Sequence, residues 1–195
     1  MFLIGEPGER RVSRLLDEQR DAPFSYAEVG ASRAAPGEVP GYAVDHNRVR
    51  LGEGEGAFGR AVAALLAWRM FDVGWARLLP ADAPVGVGTT VAVLARHYGF
   101  RSLNFSRVVY EIEEEGPVLR RGFAYGTLPE HAACGEERFT VEEHADGSVF
   151  YDLYAFSRPN GPLARLGRPV ARGLQRRFAR DSLRAMVRAT SEPDA

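Results

Sequence analysis

The chain has 195 residues, 45% of them hydrophobic and 26% charged, with a formal net charge of −1, which fits one folded domain and argues against disorder or a coiled coil. All 25 basic residues are arginine, from Arg10 to Arg188, and lysine is absent. That excludes a phosphate loop ending in Gly-Lys-Ser/Thr, a pyridoxal-phosphate Schiff base and a Ser-Lys dyad, and the single cysteine, Cys134, excludes an internal disulfide and every multi-thiolate metal site. No window approaches the roughly 18 consecutive apolar residues of a membrane span. Met1 to Ile4 is too short for a signal-peptide core, so cytoplasmic residence is expected.

Residues 7–20 are charged, with Val12, Leu15 and Leu16 at helical spacing, and predict a short surface helix. Phe24-Ser-Tyr-Ala-Glu-Val29 reads as a strand or the approach to one, and Arg33 to Gly41, with Pro36 and Pro40, reads as loop. Alternation from Tyr42 to Leu51 predicts a half-buried strand. The period then changes, because Phe58, Ala61, Val62, Leu65, Trp68 and Phe71 recur at helical steps and predict a helix over about 57–73. Residues 80–88, rich in Pro and Gly, form a connecting loop.

After Thr89 the chain reads as an antiparallel meander with runs at 89–98, 103–114, 118–128, 135–144 and 147–157. Asp146-Gly147 is its strongest hairpin signal. A last helix is expected from Pro162 or Pro169 to about Arg188. The order gives an α+β domain at 23–190, preceded by an arm or surface helix at 1–22 and followed by a flexible tail at 191–195, in which a curved antiparallel sheet buries one face against helices.

Several separate stretches, Phe24-Ser-Tyr-Ala-Glu-Val-Gly-Ala-Ser32, Trp68-Arg-Met-Phe71, Gly122-Phe-Ala-Tyr-Gly-Thr-Leu128, Gly135-Glu-Glu-Arg-Phe139 and Arg177-Phe-Ala-Arg-Asp-Ser182, resemble the domain of unknown function 1990 family. The resemblance spans about Phe24 to Ala189 and implies no catalytic residues. The fold it implies is similar to the START-like or Bet v 1-like helix-grip group, in which an antiparallel sheet wraps a long C-terminal helix around an internal cavity.

Strand parity, followed from Val91, Val93, Val108, Ile112, Phe123, Phe139 and Val141, places His97, Tyr110, Tyr125 and Glu137 on the inward face. The ligand-lining set is then Trp75, Tyr110, Phe123, Tyr125 and Glu137, and the candidate acid–base residues are Glu137, His97 and His131, the last in the loop before Gly135. The plainer alternatives are buried tyrosines with satisfied hydroxyls and solvated histidines. His46, His97, His131 and His144 lack metal-ligand spacing, so no metal and no cofactor is expected. Gly54-Glu-Gly-Ala-Phe-Gly59 matches a dinucleotide fingerprint in form only; Glu53 and Glu55 would repel a pyrophosphate, and the glycines read as a flexible strand-to-helix turn.

Arg168, Arg172, Arg176, Arg180, Arg184 and Arg188 form one helical ridge, and from Arg158 to Arg188 there are 9 arginines and one acid, Asp181. That segment is +8 and the remainder, with 16 arginines against 25 acids, is −9. The ridge, through Arg172, Arg176 and Arg180, can meet a phosphate partner or lie across the acidic strands holding Glu111, Glu113, Glu114, Glu142 and Glu143. Sparse aromatic residues there disfavour nucleic acid. The expected partner is a small apolar or amphipathic molecule held in a START-like cavity. The alternatives are a cofactor-free cyclase, hydratase or isomerase using the same space, and a nucleic-acid or anionic-membrane binder acting through the C-terminal arginine ridge.

Overall fold

The computed structural model describes residues 1–3, 5–97, 99–160 and 168–191. Among them, β1 (Phe2–Leu3) and α1 (Glu9–Gln19) are followed by β2 (Ala43–Glu53), α2 (Gly54–Leu66), β3 (Ala76–Leu79) and β4 (Thr90–Arg96). Then come β5 (Arg101–Glu114), β6 (Val118–Thr127), β7 (Ala133–His144), β8 (Ser148–Pro159) and α3 (Arg168–Thr190). The strands form one antiparallel sheet in the order β2-β8-β7-β6-β5-β4-β3, with β1 added beside β5. The sheet is curled, and its concave side grips α3: this is the helix-grip arrangement.

The meander from β4 to β8 follows the period-two runs closely, and the β7–β8 hairpin turns at Asp146-Gly147, where Gly147 has φ 80° and the Asp146 carboxylate accepts from the Ser148 amide at 3.0 Å. On the concave side Phe123, Phe139, Val141, Tyr151 and Leu153 pack against Ala61 and Leu65 of α2 and Ala179 and Met186 of α3. The opposite, convex side carries two smaller apolar layers. One joins Leu3 of β1 and Leu15 of α1 to Leu94, Leu103 and Phe105, so α1 lies directly on the sheet; the other joins Tyr26 to Cys134, Tyr154 and Phe156.

Several expectations are corrected. Phe24–Val29 forms no strand: it is a strap over the convex face, tied at Ser25, whose amide donates to the Thr127 carbonyl at 2.9 Å, and it leads into a 3-10 turn at Ala31–Arg33. Of the glycines in Gly54–Gly59, Gly54 makes the strand-to-helix turn with φ 78° where β2 runs into α2, but Gly56 and Gly59 lie within the helix, which ends at Leu66 because Trp68 adopts a left-handed φ of 56°. Residues 69–71 continue only as a 3-10 turn. Edge strand β3 was not expected, being four residues long without a clear period. The final helix starts at Arg168 with Pro169 in its first turn, where proline costs no hydrogen bond. The Pro162 alternative, Arg165 and the last four tail residues lie outside the described residues, as does the side chain of Arg168.

Candidate functional site

Register across the sheet aligns Asp45, Ala155, Glu137, Tyr125 and Val108 in one row, on β2, β8, β7, β6 and β5 in turn. Side chains opposite one another in an antiparallel sheet share a face, and Tyr125 and Val108 belong to the concave core, so the whole row looks towards α3. Tyr125 donates its hydroxyl to a Glu137 carboxylate oxygen at 2.7 Å, and its ring meets Phe139 edge-on with centroids 5.1 Å apart. Glu137 is partly covered as a residue, but its carboxyl is crowded by protein atoms. Burial raises its pKa to about 7 against the pull of the Tyr125 hydrogen bond, and the charge of Asp45 adds to the rise. Burial also pushes the Tyr125 phenol well above its ordinary value.

At the β2 end of the row, Arg172 of α3 forks onto Asp45, one arm at 2.7 Å, and also reaches the Gln175 side chain at 3.0 Å; Gln175 in turn donates to Ser157 at 2.8 Å. This polar chain ties the first turns of α3 to β2 and β8. Just outside it a pocket of about 630 Å³ opens between α3 and the strand ends, lined by Tyr42, Ala43, Ala133, Ser157, Arg172 and Gln175 among others. Its border row, Ala43 opposite Ser157 opposite Gly135, is a single side-chain step from Asp45, Ala155 and Glu137.

The other sequence-derived candidates are dispersed. Phe123 is fully buried against Trp68, with centroids 4.7 Å apart, and packs the core. Tyr110 is on the convex face, bonded to Ser32 at 2.7 Å with its pKa pushed up to about 12 by burial. The cause is a register shift between Val108 and Tyr110, a bulge that reverses parity along β5. His97 follows the end of β4, where Nε2 meets the Ser102 hydroxyl at 2.7 Å and burial, then the charge of Arg177, lowers its pKa. His131 faces the Ala133 backbone at 3.0 Å, and burial lowers its pKa to about 4. Trp75 donates to Asp181 at 3.1 Å, away from the Glu137 row. Among the described residues no cluster of His, Cys, Asp and Glu could hold a metal ion.

Sequence reading missed Glu136, the neighbour of Glu137 with the opposite parity. It is 2% exposed on the convex face and accepts from the Tyr26 hydroxyl at 2.6 Å, the Gly30 and Ser32 amides at 2.8 and 2.9 Å, and the Ser32 hydroxyl. Adjacent glutamates in a strand must face opposite sides, which was the available signal.

Residues 25–185 match the family described as Domain of unknown function (DUF1990). The chain belongs to this family. It is 39% identical over 201 residues to a UPF0548 protein of Deinococcus radiodurans, covering 97% of this chain and 98% of that one. It is 34% identical over 206 residues to a UPF0548 protein of Dictyostelium discoideum, covering 97% and 95%. Among solved structures it overlaps the hypothetical protein jhp0584 from Helicobacter pylori with a TM-score of 0.52 at 14% identity, over 78% of this chain and 92% of that one, a likeness of fold alone.

In this DUF1990 chain the arginine ridge does not cross the acidic strands. Arg172 takes Asp45; Arg177, Arg180 and Arg184 gather round Asp181 at 3.5, 3.3 and 3.9 Å; Arg188 donates to the Asp72 carbonyl at 3.0 Å. Three of the strand acids are paired within the sheet, Glu114 and Glu142 to Arg120 and Glu113 to Arg121, and Glu111 accepts from the Val87 amide at 3.2 Å. No helix of the described residues is long and apolar enough to cross a membrane.

Proposed function

We propose that the protein binds a small apolar or amphipathic molecule between the concave sheet face and α3, with its polar group against Tyr125 and Glu137. The observation that carries this reading is the adjacency of the pocket between α3 and the ends of β2, β7 and β8 to the Asp45–Ala155–Glu137–Tyr125 row. A ligand entering there meets an apolar wall of Tyr42, Ala43, Ala133 and Ala171 before one polar anchor, the composition usual for small-molecule sites. A cytoplasmic setting suits the buried, unpaired Cys134.

Native mass spectrometry of the purified protein, with added N-phenyl-1-naphthylamine as an uncharged probe, tests the reading. A bound small molecule or probe is expected, and Ala155→Trp, which fills the row, should remove it, with Tyr125→Phe weakening it less. Absence of any uptake, or uptake that neither substitution alters, overturns the proposal.

A second reading rests on one observation, a carboxyl with a pKa of about 7 hydrogen-bonded to a phenol, which is the poise of an acid–base group at neutral pH. Under it the compound recovered above is a substrate for cyclisation, hydration or isomerisation. Glu137→Gln should then abolish turnover and leave affinity nearly intact; equal loss of both leaves a binder only.

A further inference from the structure

A second groove, of about 680 Å³, lies along β3, the edge strand at the opposite end of the sheet order from β2, and shares no lining residue with the Glu137 row. We propose that it is a separate binding site, for an organic anion with an apolar or aromatic body. Among the described residues four arginines line it, Arg69, Arg77, Arg96 and Arg101, against two carboxylates, Glu6 and Asp72, a surplus of two positive charges. Its other walls are apolar: Trp75, Phe71, Leu78 and Leu94.

The arginines are placed at a cost that an anion would relieve. Arg96 and Arg101 stand directly opposite each other across β4 and β5, and like charges in that position repel. Arg77 pairs with Leu94, two residues before Arg96, so three guanidinium groups share one face of the sheet with Leu94 among them. Arg96 spends one arm on the Gly74 carbonyl at 2.7 Å. The buried Nε of Arg101 has no hydrogen-bond partner among the described residues. A buried donor left unpaired is an energetic debt.

Glu6 marks where the anion goes. Its carboxylate bridges Arg77 at 2.8 Å and Arg101 at 3.8 Å while remaining about half exposed, a loose internal stand-in for a ligand carboxylate, sulfonate or phosphate. Arg177 covers one side of the Trp75 ring at 4.7 Å, and the indole contributes to the groove wall beside it. Trp68, at the groove's base, holds a left-handed φ of 56°, a strain that its indole bond to the Ala83 carbonyl at 2.8 Å helps to sustain.

The test compares two dyes with the same rings in fluorescence titrations: 8-anilinonaphthalene-1-sulfonate, which is anionic, and N-phenyl-1-naphthylamine, which is not. Arg101→Ala should weaken sulfonate binding about tenfold, the scale of one lost charge-assisted hydrogen bond. Glu6→Gln, which removes the internal competitor at an exposed position, should tighten it severalfold. Neither substitution should move the affinity for the uncharged dye, which reports on the concave side. Sulfonate binding unchanged in either variant, or both dyes shifting together, overturns the assignment.

Discussion

Glu137 is the residue on which pH should act. Its pKa of about 7 lies above its ordinary value of 4.5, so the folded protein keeps a proton that the unfolded chain releases between those pH values. The folded state therefore has its full advantage from this group below about pH 4.5 and loses it as pH rises towards 7. At about 1.4 kcal/mol per pKa unit the loss amounts to at most about 3.5 kcal/mol. Glu137→Gln should remove that decline, and denaturant titrations of both proteins from pH 4.5 to 8 check it through the difference in slope. Tyr125→Phe acts in the opposite sense on the same group: removing the hydroxyl that stabilises the ionised carboxylate should raise the Glu137 pKa further, which carboxyl carbon NMR would register. That Tyr125 and Glu137 share the inward face was legible in the sequence because parity holds along β6 and β7, while their direct pairing comes from the strand register. Tyr110 was not, since one extra residue at a bulge leaves no mark on composition or period.

Among the elements, the strap over residues 24–34 depends on a carboxylate and a glycine. Glu136 gathers the donors of Tyr26, Gly30 and Ser32, and the space above Gly126 is filled by the Tyr26 hydroxyl, so that a Cβ at Gly126 would overlap it. Gly126→Ala should displace Tyr26, leave a buried acceptor short of one donor, and cost about 1–3 kcal/mol in urea unfolding. It should also expose the strap to limited proteolysis between Phe24 and Ala34, whereas cleavage as slow as in the parent protein would count against this anchoring role. Gly122 and Gly135 are required more strictly, because a Cβ at either would run into backbone of the neighbouring strand, at Phe139 and Phe156 respectively. Elements with a sustained period, β2, α3 and the five-strand meander, could be read directly from the residues. The strap could not, because Phe24 and Tyr26 alternate as a strand would, yet the chain there satisfies its backbone through side chains and a turn rather than a ladder.

Across the whole molecule, the space between sheet and helix is already well filled. Phe123, Phe139, Tyr151 and Met186 are completely buried there, so a ligand reaching Glu137 must arrive from the end of α3 that these side chains do not occupy. That end is fastened by Arg172 on Asp45 and by Gln175 on Ser157, beside the 630 Å³ pocket. The lysine-free composition matters at this point, since a guanidinium can fork onto a carboxylate while also reaching a third oxygen, as Arg172 does, and an ammonium offers no such planar fork. If uptake requires α3 to lift from β2, the pair must break before the ligand is in place, and its removal should lower the barrier more than it alters the bound state. Arg172→Ala is therefore expected to raise the association rate of N-phenyl-1-naphthylamine by about tenfold, the equivalent of roughly 1.4 kcal/mol, and to speed dissociation by a similar factor, leaving the equilibrium affinity nearly unchanged. Stopped-flow fluorescence separates the two rates. Faster hydrogen exchange confined to the first turns of α3 should accompany them, while a variant whose two rates match those of the parent would mean that the ligand does not pass this end of the helix.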